Sequence, residues 1–137
     1  MKIDVISSTM VQPAAETPRH SLWMSNVDLV IPNAYMLTVY FYRPTGAVDF
    51  FDAGVLKAAL RSALVPFYPV AGRLKRDESG EVVIDCNGQG VLFVVAGSDG
   101  VVDDFGGFDS TSEFNSLITQ FDCSEEVSAY PILVLQV

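Results

Sequence analysis

Histidine is nearly missing from this chain: position 20 holds the only one in 137 residues. No Cys/His cluster has the spacing of a zinc site. Two cysteines, Cys86 and Cys123, are too few for a disulfide framework. They read as free thiols of a reducing compartment, and the cytoplasm is the expected location. Charged residues make up only 18% against 50% hydrophobic, which excludes an intrinsically disordered chain. No apolar run approaches the roughly 20 residues of a membrane-spanning helix. The start, MKIDVISSTMVQP, carries one lysine and no apolar block of the secretory-signal kind. Basic residues are absent beyond Arg76. Residues 1–76 carry all 8 Lys and Arg with 5 acids, whereas residues 77–137 carry 12 acids and no base. A nucleic-acid binder needs a basic face, so that class is excluded. The acidic half reads as a solubilising surface, with a patch for a basic partner as the alternative.

What is there fits one domain of mixed α+β class. Residues 2–7 alternate and predict a strand. QPAAETPRH (12–20) is a proline-punctuated loop, and 21–33 a turn or one short helical turn. AYMLTVYFYRP (34–44) is rich in aromatic and β-branched residues and predicts a strand. Tyr35, Leu37, Val39 and Phe41 share one face; Met36, Thr38, Tyr40 and Tyr42 share the other. Asp52 is placed as the N-cap of a helix over 53–64, with Phe51 and Leu56 as its hydrophobic staple. Val55, Leu56, Ala59, Leu60, Ala63 and Leu64 form its apolar face, and Lys57 and Arg61 lie opposite. Pro66 ends the helix. Phe67 and Tyr68 pin the corner into the core, and Gly72 permits a tight start to the next strand. Arg73 either caps the helix's C-terminal carbonyls or pairs with an acid of the second half.

GRLKRD, GEVVIDC and GVLFVVAG, separated by turn-forming ESG and NGQG, predict an antiparallel meander whose third strand is interior. A short helix is expected within 112–118. SAYPILVLQV reads as a buried strand, and the chain ends inside that apolar run. The expectation is an incomplete domain whose exposed terminal strand offers a pairing edge.

His20 lies in a proline-flanked loop with no carboxylate at helical spacing, so a packing or surface histidine is expected rather than a base. Asp99, Asp103 and Asp104 lack the alternating oxygen pattern of an EF-hand and read as a solvated loop. GSDG and NGQG have no accompanying Lys and read as turns, not phosphate cradles. Met36, Thr38 and Tyr40 present methyls, a ring and hydroxyl tips along one strand face, either as a second core face or as a ligand wall.

ALVPFYPVAGRLKRDESGEVVIDCNGQGVLF resembles the N-terminal domain of plant BAHD acyltransferases, particularly hydroxycinnamoyl-CoA:shikimate/quinate hydroxycinnamoyltransferases. MVQPAAETP, LWMSNVDLVIPN, VYFYRPTG, FFDAGVLKAAL, DGVVDDFG and YPILVLQV follow the same subfamily in the same order. The resemblance covers essentially the whole chain, residues 1–137, as part of the N-terminal domain, the second domain being absent. It implies the chloramphenicol-acetyltransferase-like fold: mixed and antiparallel sheet with helices, two domains, and a channel between them. It implies acyl transfer from a CoA thioester to an alcohol or amine, with acyl-CoA as co-substrate and no resident cofactor or metal. A histidine of an H-x-x-x-D motif serves as general base in that family.

No H-x-x-x-D occurs here; the residue four after His20 is Met24. DFGGF (104–108) shares letters with the family's D-F-G-W-G but stands in the wrong domain. These 137 residues alone are therefore expected to be inactive. The alternative is a non-catalytic truncated paralogue that acts as an interaction protein or has no function. The resemblance also marks Met36, Thr38 and Tyr40 as substrate-binding. Tyr40 matches the family's pocket tyrosine, Thr38 keeps the hydroxyl of its usual serine, and Tyr35, Met36 and Leu37 replace His, Thr and Pro.

Overall fold

A computed structural model describes residues 2–30, 34–105, 114–115, 117–118 and 126–137. Two three-stranded sheets organise them. β1 (Ile3–Val11) pairs antiparallel with β5 (Val91–Ser98), from Val11 opposite Val91 to Ile3 opposite Ser98. The register shifts between Val5 and Ser7, and the intervening Ile6 bulges outward, 71% exposed. β6 (Val134–Gln136) adds to the other side of β5 in parallel and stays half-buried. β5 is thus central, as its two-sided apolar sequence predicts.

The second sheet has the order β2 (Ser21–Trp23), β4 (Val82–Asp85), β3 (Arg73–Arg76). The β3–β4 hairpin is as expected; the continuation of the meander is not, because β4 and β5 do not pair. Gly88 (φ 65°) and Gly90 (φ 107°) turn the backbone through conformations that L side chains rarely adopt. The turn carries the chain out of the second sheet to lie beside β1. The Gly90 N–H is satisfied by the Ala71 carbonyl at 2.8 Å.

α1 (Asn26–Leu29) is a single turn closed by a capping box between Ser25 and Asp28. α2 (Ala53–Ala63) begins where Asp52 accepts from the Val55 N–H at 2.9 Å, and ends at Leu64. Its buried stripe differs from the expected one. Leu64 joins Val11, Ala71, Val91 and Phe93 in the core, with Ala53, Leu56 and Leu60 packed against them. Val55 is 51% exposed. Lys57, expected on the outer side, instead lies over the Phe93 ring, 5.5 Å from its centre, and donates to Thr9 Oγ1. Its long methylene stem covers apolar surface while the ammonium reaches the edge.

A 3-10 turn, Tyr68–Ala71, follows the helix. Phe67 does not pin it to the core; the ring is 66% exposed, and buried Ala71 takes that place. The segment 34–45 forms no strand either. Strand preference reflects packing on pleated neighbours, and among the described residues no sheet edge pairs with it. Of the short helix expected within 112–118, Phe114 and Asn115 are helical and Leu117 and Ile118 form a turn and a bend, while 112, 113 and 116 lie outside the described residues, as does Cys123. Cys86 is a free, buried thiol.

Candidate functional site

The segment 34–45 keeps the two-residue alternation of its sequence without a ladder to enforce it. Tyr35 and Val39 turn toward the body of the protein and are half-buried, whereas Met36, Thr38, Tyr40 and Tyr42 face solvent. Met36 is 86% and Tyr40 74% exposed. Among the described residues the Thr38 and Tyr40 hydroxyls have no protein partner, so both are available to a ligand. Leu37 departs from its expected inward face and is 53% exposed.

Three anchors hold the segment. The Tyr35 hydroxyl donates to the Pro131 carbonyl at 2.6 Å, across 96 positions of sequence. Phe41 packs against Phe105 and Phe114 at ring separations of 5.4 and 6.1 Å, and those two rings stack on each other. Tyr42 meets Phe51 at 5.3 Å. Phe51 has a φ of 53°, unusual for an aromatic residue. It also packs on Phe50. The three sites proposed from sequence therefore lie on one outward strip, with their neighbours tied down behind them.

Arg73 forms the second constellation. It is 5% exposed. Nη1 donates to the carbonyls of Gly72 at 2.7 Å and Gly90 at 2.8 Å, and Nη2 approaches Met10 Sδ at 3.6 Å. Both sequence alternatives are replaced: among the described residues Arg73 neither caps α2 nor meets an acid, but clamps loop carbonyls between the sheets. Burial lowers its pKa from the ordinary value, with the neighbouring Tyr35 opposing; a guanidinium nonetheless stays charged. Arg73 also forms an isolated bridge with Pro131, the residue that receives the Tyr35 hydroxyl. No local sequence signal pointed to either Pro131 contact.

His20 Nε2 lies 2.9 Å from the Tyr68 hydroxyl in an exposed setting. Its described hydrogen-bond partner is a phenol, not the carboxylate that orients a catalytic imidazole. Of the acids expected in a solvated loop, Asp104 accepts from the Val101 N–H within its own turn, and Asp99 accepts from the distant Lys2 N–H beside the start of β1. Among the described residues no three potential metal ligands cluster, and no helix is long and apolar enough to cross a membrane. An open recess of 420 Å³ is lined by Lys75, Arg76, Glu126, Val127 and Ser128. Its lysine is paired with Asp85 at 3.3 Å, and Arg76 donates to the Gly80 carbonyl.

The arrangement of small sheets and few helices is shared with the crystal structure of vinorine synthase: TM-score 0.53, 22% identity, covering 75% of this chain and 25% of that one. At that identity the likeness concerns the fold. The chain belongs to the Transferase family, whose model matches residues 1–137, the BAHD acyltransferases of the resemblance drawn from its motifs.

Among relatives, shikimate O-hydroxycinnamoyltransferase of Nicotiana tabacum is 64% identical over all of this chain and 32% of its own length. Hydroxycinnamoyl-CoA:5-hydroxyanthranilate N-hydroxycinnamoyltransferase of Avena sativa is 54% identical over all of this chain and 33% of its own length. The chain spans about a third of the length of these curated relatives.

Proposed function

We propose that this chain belongs to an enzyme that moves a hydroxycinnamoyl group from its CoA thioester to an alcohol or amine. The observation that carries this is the agreement of two relatives on the acyl group and their disagreement on the acceptor. One is named for O-transfer to shikimate and the other for N-transfer to 5-hydroxyanthranilate, at 64% and 54% identity over the whole chain. The region they share with this chain is thus compatible with both kinds of nucleophile.

In such a transfer the acceptor O–H or N–H loses its proton to a general base. The freed lone pair attacks the thioester carbonyl, the tetrahedral intermediate collapses, the C–S bond breaks, and CoA leaves as a thiol. The base is not supplied here. His20 is the only histidine, lacks the H-x-x-x-D context, and contacts Tyr68. These 137 residues by themselves are therefore inactive.

Their contribution is an acceptor-facing wall made of Met36, Thr38 and Tyr40. Thr38 and Tyr40 offer hydroxyls; Met36 offers apolar bulk and no hydrogen bond. A polyol pressed against Met36 leaves a hydroxyl unpaired, at a cost of roughly 1–3 kcal/mol per buried polar group. Acceptors of the shikimate or quinate kind remain within reach, and a less polar alcohol or amine suits the wall better. A cytoplasmic setting agrees with the free thiol of Cys86.

The test has two arms. The purified chain is mixed with a hydroxycinnamoyl-CoA and either shikimate or 5-hydroxyanthranilate, and released thiol is followed; no release above buffer is expected. The chain is then joined to the remaining two thirds of the tobacco relative, with that relative as positive control. The chimera is expected to transfer the acyl group, and Met36→Thr to shift its preference toward shikimate. Turnover by the 137 residues alone would refute the missing-base reading. A folded chimera inert toward both acceptors would refute the transfer reading.

A further inference from the structure

The wall residues face outward, and a floppy segment cannot present two hydroxyls and a methyl group in fixed register. Something must hold it. Its N-terminal anchor includes the bond from the Tyr35 hydroxyl to the Pro131 carbonyl at 2.6 Å. Pro131 is itself fixed. It bridges Arg73 of β3, and three residues later the chain enters β6 beside the central strand β5. Arg73 in turn clamps the Gly72 and Gly90 carbonyls while buried. A continuous chain of contacts therefore runs from both sheets through Pro131 to Tyr35, one residue before Met36. We propose that Tyr35 is a positioning residue. Its hydroxyl sets how Met36, Thr38 and Tyr40 are offered to the acceptor, and so tunes acceptor affinity without touching the acceptor.

The inference rests on the acceptor-wall reading for its consequence, but not for its mechanics. Tyr35 is half-buried and directed inward, so its hydroxyl is committed to the frame and not to a ligand. The bond is short, and a carbonyl acceptor two-thirds of a chain length away has no other reason to coincide with the base of the wall. At the far end Phe41 and Tyr42 make ring contacts. Rings tolerate sliding that a directional hydrogen bond does not, so the Tyr35 bond is suited to fix register.

Tyr35→Phe keeps the ring and deletes only the hydroxyl, so the fold survives the change. Methyl order parameters are measured by NMR relaxation on the whole chain for parent and variant. In parallel, shikimate is titrated against the methyl resonances of Met36 and Thr38. The order parameters of the Met36, Thr38 and Val39 methyls are expected to fall in the variant, where the segment has lost its hydrogen bond to Pro131. Those of Val91–Ser98 should stay unchanged. Shikimate affinity should fall roughly threefold to tenfold, as loss of one neutral hydrogen bond implies, a loss that a purely structural anchor remote from the wall would not produce.

Equal order parameters for the Met36, Thr38 and Val39 methyls in parent and variant overturn the proposal. So does loosening of Val91–Ser98 in step with 36–41, which would make Tyr35 a general stability residue. If the Met36, Thr38 and Val39 methyls loosen but the parent never binds shikimate, a second titration with 5-hydroxyanthranilate decides. Silence there too sinks the acceptor-wall reading and, with it, the claimed tuning of affinity. Binding that is equally tight in both proteins overturns the tuning while the acceptor wall stands.

Discussion

Replacing Arg73 by methionine removes a buried cation whose described partners are two carbonyls and a thioether. Two effects oppose each other. Burying a guanidinium costs several kcal/mol, and methionine escapes that cost. The two carbonyl bonds, at 2.7 and 2.8 Å, come from a charged donor and contribute roughly 1.5–3 kcal/mol each. Their loss also leaves the Gly72 and Gly90 oxygens in surroundings with little room for water: both glycines are buried. The second effect is the larger, because orphaned carbonyls keep their desolvation cost when the donor disappears.

The net expectation is a loss of about 2–4 kcal/mol, the range seen when one partner of a buried polar set is removed. For a chain of this size that lowers Tm by about 6–15 °C. Urea unfolding followed by circular dichroism should show a lower midpoint at an unchanged slope, since the surface exposed on unfolding is the same. Arg73→Lys should fall between the two. It keeps the charge but lacks the planar fork that reaches two carbonyls at once. If Arg73→Met melts at or above the parent, burial cost outweighs the clamp and the reasoning fails.

Other predictions follow from single contacts. A β-carbon on Gly72 would overlap the Asp85 carbonyl oxygen and lie 3.1 Å from the Asp85 carbon and the Pro69 oxygen; Gly72→Ala should cost about 2–3 kcal/mol in a urea titration. Asp77 is held below the usual carboxylate range, first by the Ser79 hydroxyl and also by backbone N–H groups of its turn. Its stabilising contribution is present above the unfolded value of about 3.9 and is lost as pH falls through the lower folded value. Midpoints of parent and Asp77→Asn should therefore converge in strong acid and separate above it. Cys86 is 1% exposed, and burial, followed by the nearby Asp85 charge, pushes its thiol upward. It should resist a thiol reagent at pH 8 until urea is added. Stability should decline as pH climbs past the ordinary thiol value of about 8.5, where only the unfolded chain ionises.

Much of the candidate site was legible because it depends on period-two geometry. The split of Tyr35 and Val39 from Met36, Thr38, Tyr40 and Tyr42 survives although no ladder forms. The strand itself was misjudged for a physical reason: aromatic and β-branched residues favour a pleated neighbour, and none of the described strands supplies one. Lys57 and Phe67 reversed their expected faces, the lysine covering Phe93 and the phenylalanine pointing out. Helical periodicity predicts an apolar stripe, but the partner surface decides which residues pack: Leu56 and Leu60 lie inward, Val55 is exposed, and Lys57 joins the packed side.

The sequence by itself determined the features whose causes lie within a few residues. Asp52 caps α2 through the N–H three positions on, Pro66 stops the helix at Leu64, and the apolar run of β5 demands an interior place. The motif order likewise determined the family. Only the tertiary structure decided that β5 pairs with β1 and β6 instead of β4, that Arg73 clamps carbonyls instead of an acid, and that Tyr35 reaches Pro131. Each of these joins groups far apart along the chain. Local sterics and capping cannot specify such a partner; it is selected by which distant surfaces bury one another and which buried polar groups are left needing a bond.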